Sequence, residues 1–221
     1  DVGFKDAFYN LISMITTTDD RGKLDNTSLK ELKSMVDSFT ISDERFINNE
    51  YFAKLEVTFN KKNTLLFLER KNIFPSIPIK NKVLLIPIIV DLEKNNIYLY
   101  TDNIFYKKWN NKIKSFHLLD YVLPSEDLED LNTIQKNYET IEDFDFIDLI
   151  KKYDLEDYII TIIFKSKNEL KVLSKINLNN SFKVNNQIFN KIDLKNEENF
   201  QTVLIKLKTT YENYWKKNNE N

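Results

Sequence analysis

Glu126, Asp127, Glu129 and Asp130 crowd four carboxylates into one turn of chain. Residues three and four apart share a helix face, so Glu126 with Glu129 or Asp130 has the spacing to hold a hard divalent cation. A cation there would make the chain a metal-dependent hydrolase. The plainer reading is electrostatic: carboxylates gather at a helix N-terminus because the macrodipole favours them there. No second acidic cluster supplies the other half of a metal site, so we expect a capped helix start, with these four residues as the only metal candidates.

His117 is the only histidine, which excludes a multi-histidine metal site and constrains any Ser-His-Asp arrangement. A general base at His117 is conceivable, yet a loop histidine with no identifiable partner is most simply structural or exposed. The chain has no cysteine, so it has no thiol nucleophile, thiolate metal site or disulfide, and its redox compartment is left open. With only Gly3 and Gly22, neither the P-loop nor the dinucleotide fingerprint can be written. These exclusions lead us to expect no catalytic residue, no cofactor and no enzymatic activity.

Phe105-Tyr106-Lys107-Lys108-Trp109, with Lys112 and Lys114, interleaves aromatic rings and bases as single-stranded nucleic-acid or membrane-surface contacts do. Against that, Lys plus Arg is 32 and Asp plus Glu is 34, a net charge of −2 that demands no anionic partner. The plainer reading buries the rings and solvates the ammonium groups. Asn, Lys, Ile, Phe and Tyr abound, while Ala occurs only at 7 and 53 and Arg only at 21, 45 and 70. We read this as codon bias from an A+T-rich genome, which weakens Lys-Asn clusters as binding signals.

The elements that must position these residues divide at Ile73 to Asp91. Pro75 and Pro78 hold their predecessors in extended backbone, so a helix ending near Asn72 cannot pass through, and this stretch is read as a joint. At 221 residues and 42% hydrophobic content, the chain can fill one large core or two small ones. We expect an α+β protein of two abutting α/β-sandwich-like units, 1–78 and 79–221, the second with a mixed sheet and a long C-terminal helix. In the first unit, Phe4 to Ile15 repeats at helical spacing, and Asn26-Thr27-Ser28 caps a second helix that ends near Asp37. Phe39 to Ile47 and Tyr51 to Phe59 form a hairpin across Asn48-Asn49, with Ala53, Leu55, Val57 and Phe59 inward. Lys61 to Lys71 is a helix with Leu65 and Leu68 on its apolar side.

In the second unit Val83 to Val90 carries no charge, the pattern of a strand covered on both faces. It is also far shorter than the roughly 20 apolar residues of a membrane-spanning helix. Ile97 to Tyr100 is a short return strand, Asp102-Asn103 caps a helix with Phe105 and Trp109, and Leu118 to Leu123 is a strand. Ser125 is placed to cap the acidic helix, and a further helix spans about 143 to 153. Tyr158 to Phe164 is the other wholly apolar run and should lie beside Val83 to Val90 across a helical crossover. Leu170 to Ile176 and Phe182 to Ile188 extend a meander. Phe200, Val203, Leu204, Leu207, Tyr211, Tyr214 and Trp215 share one face of the last helix, with Glu197 and Glu198 at its start and Lys216 and Lys217 at its end.

Three segments resemble DUF2066, a proteobacterial envelope family known as a domain of unknown function. They are AFYNLISMIT, then YFAKLEVTFNKKNTLLFLERKNIFPSIPIKNKVLLIPIIV, and YVLPSEDLEDLNTI followed by LIKKYDLEDYIITIIF. The family often has Gly before its proline turn where this chain has Asn72. The resemblance implies an exported, periplasm-facing protein with a signal upstream of Asp1, and no known catalytic residues. Together with the missing catalytic chemistry, it leads us to expect a non-enzymatic periplasmic or cell-envelope protein that binds another envelope protein. Metal-dependent hydrolysis at 126–130 and nucleic-acid contact through Phe105 to Lys114 are the alternatives, and no integral membrane segment is expected.

Overall fold

The computed structural model describes residues 2–111 and 117–220. The chain is α+β and divides into two compact units, one of residues 1–79 with 219–221 and one of residues 80–218.

The first unit opens with α1 (Val2–Ile15), which buries Phe8, Ile12 and Ile15 at helical spacing. A short α2 (Thr18–Arg21) precedes α3 (Leu29–Met35). Ser28 starts α3 with a capping box: its hydroxyl accepts the Glu31 amide, and the Glu31 carboxylate accepts the Ser28 amide at 2.8 Å. β1 (Val36–Ile47) follows at once and returns through β2 (Glu50–Phe59) in an antiparallel hairpin. Asn48 and Asn49 hold φ of 51° and 64°, the two left-handed residues that a type I′ turn needs and that Asn tolerates. Asn60 caps α4 (Lys61–Arg70), which buries Thr64, Phe67 and Leu68. Leu65, expected inward, faces solvent instead, because the helix is turned to put Phe67 edge-on to Phe8 with centroids 6.1 Å apart. Asn72 takes a left-handed φ of 53° and turns the chain out of the helix. Ser76 then donates its amide to Ile15 at 2.7 Å and bridges to Glu220.

In the second unit β3 (Asn81–Asp91), β4 (Asn96–Tyr98), α5 (Ile104–Lys108), β5 (Leu119–Val122), α6 (Leu128–Lys136) and α7 (Ile147–Lys151) precede β6 (Tyr158–Lys165). β7 (Glu169–Leu178), β8 (Ser181–Asn190) and α8 (Glu197–Lys217) complete it. The strand order is β4-β3-β6-β7-β8, with β5 also on β3. β3 pairs in parallel with β6, from Leu84 opposite Tyr158 to Asp91 opposite Lys165, so the two apolar runs lie side by side as their composition predicts. β5 is parallel to β3, and the remaining pairs are antiparallel, which makes the sheet mixed.

One face of the sheet, with Leu84, Ile86, Ile88 and Ile162, packs on Ile134 of α6 and Leu149 of α7. The other meets α8, whose Tyr211 hydroxyl lies 2.7 Å from both the Thr161 and Ser174 hydroxyls. Pro87 is tolerated mid-strand because it falls between the part of β3 that pairs with β5 and the part that pairs with β4. The buried Asn103 amide fills that gap, donating to Pro87 O at 3.0 Å and Tyr98 O at 3.3 Å.

Three further local expectations differ. Asp127, rather than Ser125, caps α6, its carboxylate accepting the Glu129 and Asp130 amides. The helix expected over about 143 to 153 is confined to α7, and Tyr100 leaves the strand for a short turn with φ of 48°.

Tyr211→Phe removes the hydroxyl that Thr161 and Ser174 share inside the unit, so it should destabilise the fold by about 1–3 kcal/mol. Tyr214→Phe, at a half-buried hydroxyl bonded to Ser181, should cost less. Urea denaturation of both variants checks the order, and equal midpoints would contradict it.

Candidate functional site

The acidic quartet is brought together, though not as a cation cage. Asp127 precedes α6 as its cap, and Lys152 places its ammonium 3.1 Å from Asp127 and 2.7 Å from Asp130. The hydrogen bond from Lys152, helped by the Asp130 and Glu129 amides, holds the Asp127 carboxyl below its ordinary range, and the hydrogen bonds to the Asp130 and then the Asp127 carboxylate raise Lys152. Glu126 lies before the helix and Glu129 on its first turn, both exposed. Among the described residues no group of three or more His, Asp or Glu side chains is placed to hold a metal ion.

In the aromatic and basic stretch, Asn103 caps α5 by accepting the Phe105 and Tyr106 amides. Phe105 and Trp109 are fully buried, Phe105 against Phe200 and Trp109 stacked on Tyr211. The Tyr106 hydroxyl donates to Pro124 O at 2.8 Å, and Lys108 pairs with Glu197. These rings are packing groups and not a platform for bases. Lys112 and Lys114 lie outside the described residues. His117 is half-buried just before β5.

The spacing-based search missed a charged stripe inside the second unit. Lys208, Glu212 and Lys216 recur every four residues on α8, and all three are buried. Glu212 accepts the Leu118 amide with both carboxylate oxygens at 3.1 Å and the Leu119 amide at 3.0 Å, so it clamps the entry to β5. The Lys208 ammonium lies 5.9 Å from the centre of the Trp109 ring. Burial lowers Lys208 to about 8, with Glu212 opposing the shift. Tyr121 packs edge-on to Trp109 at 5.5 Å, and burial pushes its phenol well above the usual value. The available signal was that Lys208 sits four residues after the core Leu204 and three before the core Tyr211, which puts it on the apolar face.

The first unit offers surface instead of chemistry. α1 lies on the base of the hairpin, Phe8 near Phe59 with centroids 6.0 Å apart and Phe4 edge-on to Phe39 at 5.3 Å. A Cβ on Gly3 would stand 2.7 Å from the Leu55 side chain, so helix and strand touch closely there. Nearer the turn the same side of the ribbon is bare: Ile41 is 48% exposed, Phe46 72% and Tyr51 59%. Ala53, expected inward, is exposed with them. A cavity of about 640 Å³ opens between α1, β2 and α4, lined by Leu11, Met14, Val57, Phe59 and Leu65, with Lys61 its one charged residue.

No family model, curated protein or solved structure matches the chain.

Lys208 makes a signed prediction about pH. Its folded pKa of about 8 lies below the ordinary 10.5, so between these values the unfolded chain holds a proton that the folded chain has lost. The penalty for burying the ammonium is therefore full below pH 8 and is relieved as pH rises. The stability of the natural chain relative to Lys208→Met should climb between pH 8 and 10, measured by urea denaturation, with tyrosine ionisation common to both. A flat difference would remove the assignment.

Proposed function

We propose that this chain is a non-enzymatic protein-binding module of the cell envelope, and that the hairpin of its first unit takes another envelope protein. One observation carries the reading: Ile41, Phe46 and Tyr51 stand in water on the side of the ribbon whose base is covered by α1. A two-stranded ribbon is marginal by itself in water, and a contiguous apolar face on it marks a contact surface. Aromatic side chains at the centre of such a face are the usual anchors of binding energy.

The partner fits as a protein with an apolar strip and a donor beside it, because Phe46 and Tyr51 are directly opposed and the Tyr51 hydroxyl donates to the Glu44 carboxylate at the bulge. The polar chemistry of the chain supports a binding role as well. Asp127 and Asp130 are held by Lys152, and Glu212 is taken up by two backbone amides, so neither carboxylate pattern is a poised acid or base. The envelope setting rests on the three segments that resemble DUF2066.

A photo-crosslinking side chain at Tyr51 in native envelopes should yield one discrete adduct, whereas one at Ile205, exposed on α8, should not. Phe46→Ser should reduce the Tyr51 adduct at least tenfold, equivalent to about 1.4 kcal/mol or more. Equal adducts at both positions, none at either, or an adduct of twice the chain's own mass would overturn the proposal.

A further inference from the structure

Leu65 and Leu68, three residues apart on α4, share one side of the helix but meet different surroundings. Leu68 is fully buried, whereas Leu65 is 38% exposed and lines the cavity of about 640 Å³ in the first unit. Ile77, 43% exposed, lines the same cavity from the connector after α4. Apolar surface left in water in this way costs free energy that an apolar ligand recovers. The volume falls within the roughly 300–1,000 Å³ of small-molecule sites, whose walls are mostly apolar with a few placed polar groups.

The polar side chains of the lining fall into two groups. The buried ones are already satisfied: the Thr64 hydroxyl donates to Asn60 O at 2.8 Å, and Ser76 donates its amide and its hydroxyl to Ile15 O at 2.7 and 3.2 Å. The exposed ones are Asn10, Thr58 and Lys61, and among the described residues no side chain bonds them. Lys61 is the single charge, and no Asp or Glu lines the cavity. It also opens α4, whose dipole adds the same sign. The lining thus combines a dry interior with a wet edge that carries one cation. A peptide would bring an amide and a carbonyl per residue into the dry part, where no free partner meets them. An acyl chain brings none.

We propose that this cavity binds a free fatty acid, its chain against Leu11, Met14, Phe59 and Leu65 and its carboxylate beside Lys61. Ligand and lining match in charge and in polarity: one anionic group meets one cation, and a tail with no polar atom meets walls whose buried polar groups need no further partner. Met14, unbranched and polarisable, can follow the contour of such a tail. Every lining residue belongs to the first unit, and none is Ile41, Phe46 or Tyr51, so the assignment stands apart from protein binding by the hairpin.

Calorimetric titration of the full chain with decanoate, below its micelle concentration, tests the assignment. One decanoate per chain should bind, at least tenfold tighter than hexanoate, because each buried methylene is worth about fourfold in affinity. Decylammonium, with the same tail and the opposite charge, should bind about fivefold more weakly. Lys61→Met should weaken decanoate about three- to fivefold, the size of an exposed ion pair, and leave decanol unchanged. Lys62→Met, at the neighbouring exposed lysine outside the lining, should change neither. Leu65→Asp sets a carboxylate in the cavity at an exposed position, so it should weaken decanoate at least tenfold with little change in the urea midpoint. No uptake of decanoate, equal affinity for decylammonium, equal losses from the two lysine variants, or indifference to Leu65→Asp each overturns the assignment. So does dimerisation that Leu65→Asp suppresses, or a discrete protein adduct from a photo-crosslinking side chain at Leu65, in the absence of uptake: these give the cavity to a second copy or to a protein.

Discussion

The constraint on which the second unit depends is that β3 and β6 must be dry on both faces. From Val83 to Val90, and through most of Tyr158 to Phe164, side chains point alternately to the two faces and almost none meets solvent. Burying each large aliphatic side chain is worth about 1.5–3 kcal/mol, against roughly 1 kcal/mol net for one hydrogen bond, so the pair of strands outweighs any polar contact around it. A parallel pair also needs a crossover, and the residues between β3 and β6 supply it while α6 and α7 cover one face. α8 covers the other, and the order of elements follows from those two coverings. Pro87 shows how tightly the requirement is met, since the one residue in β3 that cannot donate lies where no neighbouring strand asks it to, and Asn103 closes the opening.

What could be read in advance was whatever a periodicity or a single local bond decides. The two apolar runs announced adjacent buried strands because no alternation broke them. Ser28, Asn48-Asn49 and Asn103 announced their caps and turn because each bond or dihedral is made within three residues. Ser125 and Asp127 are both competent caps, and only the path of the chain from β5 chose between them. Leu65 and Phe67 are both apolar, and only the position of Phe8 decided which turned inward. The acidic quartet was legible as a cap, but its partner Lys152 comes from more than twenty residues away and carries no local signal.

The hairpin's bare side has a geometric origin that sequence alternation cannot express. α1, at 14 residues, is about 21 Å long, whereas β1, at 12 residues, extends about 40 Å. Helix and ribbon run together from Phe8 against Phe59 to Gly3 against Leu55, after which the ribbon continues without the helix. Alternation put Ala53 and Leu55 on the same side correctly; the length of the covering element decided that one is sheltered and the other is wet.

The buried charges on α8 invite the same kind of accounting. An all-apolar helix face can slide along an apolar sheet with little penalty, because hydrophobic contact is nearly indifferent to a shift of one turn. Glu212 removes that freedom, since the Leu118 and Leu119 amides lie in one place and a carboxylate one turn away would be buried without a donor. Fixing α8 along its axis is what sets the Tyr211 hydroxyl between Thr161 and Ser174, on two different strands. Lys208, four residues before Glu212, is attracted to that carboxylate, and its ammonium lies over the Trp109 ring that stacks on Tyr211. On this account Glu212 and the helix face around it are spent on register.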